Sequence, residues 1–177
     1  PYPEDGDYVV CVGRASHAKG TWETISMLAG TDLSLAHVGG GDEKSLEIIR
    51  KHADSSGVGL WVAPRLPSSD LVSLMRGATA VVSMAHKESF GLTPIEAFAV
   101  GTPAVFVDEG GFRDTIVDGQ NGRLLDREDL ASWHTALEQA ADPSIREEWA
   151  KMGRDRISQL DLGPDAHAQR IWDLLCG

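Results

Sequence analysis

Short, continuous apolar runs alternate with helix-patterned segments along this chain, and that alternation constrains its fold more than any single motif. Residues 8–13 (YVVCVG) read as a buried strand, and residues 20–28 have helical character. Residues 33–39 (LSLAHVG) form a second strand, closed by Gly39-Gly40-Gly41. Residues 42–55 predict a helix with Asp42 as its N-cap and Leu46, Ile49 and Ala53 as its apolar positions. A strand over 59–63, a helix over 68–75 capped by Ser68 or Ser69, and a strand over 79–84 (TAVVSM) follow. A helix over 93–100 ends at Gly101, and 103–107 (PAVFV) is the last clear strand. Further helices are expected near 112–117, 127–141, 145–159 and 165–175.

Strands that are apolar throughout, each followed by a helix, predict a parallel sheet covered on both faces and joined by right-handed crossovers. The expected fold class is α/β, a Rossmann-like doubly wound parallel sheet. It would form a single domain over residues 1–177, with the helices of about 127–177 as an appendage. Such sheets bind ligands beyond the carboxyl ends of their strands, at a topological switch point. The loops after the strands are therefore where chemistry is expected.

Bulk properties narrow the function classes. A net charge of −11 argues against a nucleic-acid partner, which needs a basic face. A small phosphorylated ligand needs only one or two local cations. No apolar stretch approaches the roughly 18–20 residues that span a bilayer. Residues 1–8 are polar and turn-rich rather than a signal peptide. A chain opening on Pro1 is expected to be a piece of a longer protein. Cys11 and Cys176 are far apart and suggest neither a disulfide framework nor a zinc site, so a reducing cytoplasm is expected. No metal-ligand cluster is evident.

Two segments could carry chemistry. The loop after the first strand runs Gly13-Arg14-Ala15-Ser16-His17-Ala18-Lys19-Gly20. Its guanidinium and ammonium could grip a diphosphate, the first as a planar fork and the second as a point charge. Gly13 would let the backbone approach closely. A solvated loop with incidental charges is the alternative, and His17 is expected to face solvent with no role. The second segment, His86 to Ala97, follows a strand and opens a helix. Thr93 as N-cap and Pro94 as first helical residue would offer free N–H groups and a positive dipole end to an anion. Glu88 could accept hydrogen bonds from sugar hydroxyls, and Glu96 from vicinal ribose hydroxyls. Thr93-x-x-Glu96 also reads as a capping box, in which Glu96 would serve only the helix.

Other features point less far. Gly39-Gly40-Gly41-Asp42-Glu43 follows the second strand, lacks the third glycine of a dinucleotide fingerprint and places carboxylates where pyrophosphate would sit. It reads as a tight turn and helix cap. Trp133, Trp149 and Trp172 are expected to pack the terminal helices.

Glu88 and Glu96, with seven residues between them, resemble the E-x7-E motif of retaining glycosyltransferases with the GT-B fold, especially family 4. The stretch from Phe98 to Val105 is similar to that family's alanine-rich helix and following GxPV segment. Gly110-Gly111-Phe112-Arg113-Asp114 resembles its GGxxE turn, with Asp114 where Glu is usual. Asn121-Gly122-Arg123-Leu124-Leu125 resembles its nGxLv segment, and Gly13-Arg14 with Lys19-Gly20 its GR…KG loop. Met84 and Ala85 stand where the family often has Pro-Ser, and Pro64 where a Gly is common.

The resemblance implies the C-terminal, donor-binding half of a GT-B fold, with an acceptor-binding N-terminal domain absent. It implies Arg14, Lys19 and Glu88 as catalytic groups, the first two on the diphosphate and Glu88 on the transferred sugar. Gly13, Ser89, Phe90, Gly91, Leu92 and Thr93 would help to hold the donor, Glu96 would bind its ribose, and the loop from Val62 to Arg65 would cradle its base. The implied reaction is retaining transfer from a nucleoside diphosphate sugar, without a metal or cofactor and without a protein nucleophile. The isolated domain is expected to be inactive. Its partners would be the nucleotide sugar and the missing domain, through which any peripheral membrane contact would run. A nucleotide-sugar epimerase of the same architecture and a non-catalytic nucleotide-binding module remain the alternatives.

Overall fold

The computed structural model describes residues 8–161. The chain runs β1 (Tyr8–Val12), a one-turn 3-10 helix (His17–Lys19), α1 (Thr21–Leu28), β2 (Ser34–Val38), α2 (Glu43–Ser56), β3 (Leu60–Ala63) and α3 (Ser68–Gly77). It continues through β4 (Ala80–Ser83), α4 (Leu92–Val100), β5 (Ala104–Val107), α5 (Phe112–Thr115), β6 (Arg123–Leu125), α6 (Leu130–Ala141) and α7 (Pro143–Leu160).

The six strands form one parallel sheet in the order β3-β2-β1-β4-β5-β6. β1 pairs with β4 through Val9↔Ala80 and Val10↔Val81. Winding runs outward from β1 through β2 to β3, then returns to β4 and runs the other way, so the switch point lies between β1 and β4. Strands of this kind are buried on both faces, which is why Tyr8, Val9, Val10 and all of β4 and β5 are inaccessible.

The described part of the appendage expected over about 127–177, residues 127–161, is bound into the core. Trp133 is fully buried, and its indole N–H donates to the Asp126 carbonyl at 3.0 Å. Truncating a buried ring of this size costs about 3–5 kcal/mol. α7 packs on α4, with Gly153 lying against Phe98. Arg146 of α7 donates to the carbonyls of Ala78 and Thr79 at 3.0 Å each, which fastens α7 to the end of α3.

Several local expectations are corrected. β6 is a strand, too short at three residues to announce itself in sequence. α3 is capped at Pro67 without a side-chain hydrogen bond, and Ser68 and Ser69 lie inside its first turn. α4 begins at Leu92 with Gly91 as N-cap, so Thr93 and Pro94 occupy the second and third helical positions. α6 starts at Leu130, where the Asp129 carboxylate accepts from the Ser132 N–H at 3.2 Å. Asp142 and Pro143 open α7 two residues before the expected start. Asp42 caps α2 as expected, accepting from the Ser45 N–H at 2.9 Å. The helix expected over 165–175, with Trp172 and Cys176, lies outside the described residues. Among the described residues no helix is long and apolar enough to cross a membrane.

Candidate functional site

The loops that follow β1 and β4 meet at the switch point. After β1, Ser16 caps the 3-10 helix, its hydroxyl accepting from the Lys19 N–H at 3.3 Å. Lys19 Nζ then reaches Glu88 Oε2 at 2.6 Å, with both side chains partly exposed. The backbones are equally close, since the His86 N–H donates to the Ala18 carbonyl at 2.9 Å. Gly20 makes this approach possible. It holds the left-handed conformation (φ 61°), and a Cβ there would overlap the Met84 carbonyl. Lys87, beside Glu88, is itself left-handed at φ 52°, a conformation that costs a non-glycine residue about 1–2 kcal/mol. Such strain persists only where surrounding contacts over-determine it.

Those contacts come from behind. The Gly111 N–H donates to the Glu88 carbonyl at 2.7 Å, and a Cβ on Gly111 would overlap the backbone of Ser89 and Phe90. The paired glycines of the 110–111 turn are therefore required by packing against the Glu88 loop. Arg127 donates to the Met84 carbonyl at 2.6 Å and pairs with Glu109 at 2.9 Å, tying β6's far side to the same loop.

Beyond Glu88, Gly91 turns the chain into α4, whose first turn carries no side-chain cap. The N–H groups of Leu92 and Thr93 thus stand at an open helix end, where the dipole favours an anion. Ser89, Phe90 and Leu92 are exposed, Leu92 by 62%. Glu96 is exposed and makes no hydrogen bond to Thr93, so the capping box does not form.

A cavity of about 600 Å³ opens beside the β1 loop. Arg14, the Gly39–Gly41 turn, Asp42, Arg50, Val62 and Pro64 line it. Arg14 is exposed, and its guanidinium makes no hydrogen bond or ion pair among the described residues. Arg65 is exposed and does not line this cavity, although Val62 and Pro64 of the same loop do. Sequence reasoning missed Arg50, which follows Leu46 by one helical turn on the cavity side of α2.

Cys11 offers no nucleophile here, because burial in β1 pushes its thiol up to about 12, against the opposing charge of Lys19. His37 of β2 is buried, and among the described residues no well-formed hydrogen bond reaches either ring nitrogen, the Gly40 backbone giving only a weaker contact. Sequence reasoning also missed the gathering of His17, Glu23 and His86 beside the two loops. Glu23 and His86 stand 63 residues apart in the chain, and no ligand spacing announces them.

The sequence matches the family model described as glycosyl transferases group 1 over residues 1–156. The chain belongs to this family. It is 34% identical to the D-inositol 3-phosphate glycosyltransferase of Acidothermus cellulolyticus, over 97% of this chain and 39% of that protein. The chain thus spans well under half the length of this relative. Its fold matches sucrose-phosphate synthase from Thermosynechococcus elongatus with a TM-score of 0.83 and 26% identity, covering 98% of this chain and 45% of that one. It also matches the C-terminal domain of a glycosyl transferase group 1 family protein from Francisella tularensis, with a TM-score of 0.72 and 24% identity. That match covers 88% of this chain and 87% of the other. The six-stranded parallel sheet is therefore that of a C-terminal GT-B domain, and the Gly13–Gly20 and Glu88–Glu96 segments follow β1 and β4, the two strands at its switch point.

Proposed function

We propose that this group 1 glycosyltransferase domain binds the donor, a nucleoside diphosphate sugar, for retaining transfer to an acceptor held by a further domain. The observation that carries this reading is the pairing of Lys19 with Glu88 at 2.6 Å beside the uncapped N-terminus of α4. A diphosphate arriving there finds an ammonium, the exposed guanidinium of Arg14 and the N–H groups of Leu92 and Thr93. These groups stabilise charge on the departing phosphate, which is the largest demand of glycosyl departure. Lys19 exchanges its carboxylate partner for phosphate, and Glu88 is released to accept from sugar hydroxyls. Gly13 keeps the β1 loop close, while Ser89, Phe90 and Gly91 line the turn around the sugar. Glu96 accepts from the ribose hydroxyls. Base recognition falls to the Val62–Pro64 side of the cavity, with Arg65 at its margin. Phe90 and Leu92, large and exposed, become covered when the donor or the opposing domain is in place.

With the acceptor site elsewhere, the isolated chain holds nucleotide but transfers no sugar. Calorimetric titration of the chain with UDP, GDP and ADP tests this, beside the Arg14→Ala variant. Binding of one nucleotide, weakened in Arg14→Ala with an unchanged melting curve, is the expected result. Failure of all three to bind, or transfer of sugar by the chain alone, would overturn the reading.

A further inference from the structure

We propose that His17, Glu23 and His86 form a site for a divalent transition-metal ion, with zinc as the best-fitting occupant. Glu23 Oε1 lies 2.9 Å from His86 Nε2 and 3.4 Å from His17 Nδ1. One ligand atom from each of the three residues falls within 4.8 Å of the others. Zinc bonds to imidazole nitrogen and carboxylate oxygen are about 2.0–2.2 Å, which sets the edges of a tetrahedron at about 3.3–3.6 Å. The His17–Glu23 edge already has that length, and the His86–Glu23 edge needs to open by a few tenths of an ångström.

Chemistry favours an ion over a purely hydrogen-bonded cluster. Two imidazoles converge on a single carboxylate oxygen, with their ring centroids 4.7 Å apart. Each ring, in the tautomer that carries its proton on the facing nitrogen, can donate one N–H to that oxygen. A metal ion replaces the two protons and takes both rings in their neutral form. The second carboxylate oxygen, Glu23 Oε2, is buried with no hydrogen-bond partner among the described residues. An unpartnered buried carboxylate oxygen is costly, and a dication bound at Oε1 offsets that cost. Two imidazoles and one carboxylate select zinc, cobalt, nickel or copper over magnesium or calcium. The fourth position is left for water.

The backbone segments that carry the two histidines are fixed before any ion arrives. Ser16 fixes the 3-10 helix that carries His17, and the His86 N–H is bonded to the Ala18 carbonyl. His17 precedes Lys19 by two residues, and His86 precedes Glu88 by two. An ion at this position therefore staples together the two loops that carry the Lys19–Glu88 pair. It acts as a tether and touches no reacting group.

The test uses the chain stripped with EDTA and titrated with zinc chloride by calorimetry, with cobalt as a spectroscopic probe. One zinc per chain is expected, with no heat from magnesium or calcium. The cobalt form should show the visible bands of a tetrahedral nitrogen and oxygen site. His17→Ala should weaken zinc by about tenfold or more. Its side chain is 85% exposed, so the metal-free melting curve should not move. Glu23→Gln and His86→Ala should abolish the cobalt bands. Absence of zinc binding overturns the site, and so does zinc binding that is unchanged in His17→Ala, which would place the ion on other histidines.

Discussion

Lys19 Nζ and Glu88 Oε2 meet at 2.6 Å across the boundary between β1 and β4, where the winding of the sheet reverses. Under the donor-binding reading proposed above, an arriving diphosphate takes Lys19 away from Glu88. Exposed pairs of this kind are worth little in stability, so their removal tests binding rather than folding.

Lys19→Ala is expected to lower affinity for nucleoside diphosphate by about tenfold or more, the loss of one charge-assisted hydrogen bond. Glu88→Gln is expected to leave that affinity unchanged or raise it, because a carboxylate beside the phosphate is removed and Lys19 is freed. Calorimetry on both variants separates the roles. Equal losses in the two would show the pair acting only as a loop brace.

Glu96→Gln should leave melting temperature within the range of an ordinary surface substitution, about 0.5 kcal/mol, because Glu96 makes no capping bond in α4. If it binds the ribose, affinity for nucleotide falls while stability holds. A fall in melting temperature without a change in affinity would restore the capping role.

Gly20→Ala combines a left-handed backbone with overlap on the Met84 carbonyl. It is expected to cost at least about 2 kcal/mol, or a fall of about 4–8 °C in melting temperature. Gly30 is also left-handed, at φ 84°, but nothing lies near its Cβ position. Gly30→Ala should therefore lose only the conformational part, about 1 kcal/mol. Thermal melts of the two variants measure how much of the cost at Gly20 comes from the closeness of the loops.

Acid should weaken the fold first through His37. Burial pushes its imidazole below the usual range, and the Gly40 backbone offsets only part of this. Below about pH 6.5 the unfolded chain binds a proton that the native state refuses, so stability falls as pH drops from there through the depressed native value. His52 is shifted in the same direction by burial. The Asp42 and Asp129 carboxyls, held down by their Ser45 and Ser132 hydrogen bonds, lose their contribution only at lower pH. Denaturant unfolding at pH 8, 6 and 5 should show His37→Leu as less acid-sensitive than the parent, with the residual slope owed to His52.

The alternation of apolar runs and helical patterns determined the sheet, because a strand buried on both faces and a helix buried on one leave different periods in sequence. The E-x7-E segment was legible for the same reason, since its turn and helix are local. What sequence could not supply was anything made by packing between segments. Three-residue β6 is a strand only because β5 offers its edge. Gly91, not Thr93, caps α4, where the backbone is left-handed and the Phe112 ring occupies the place a Cβ would take. The Lys19–Glu88 pair, the Arg14–Arg50 cavity and the His17–Glu23–His86 cluster join residues from separate strands' loops and helices. Their partners are chosen by distance in space, which carries no period along the chain.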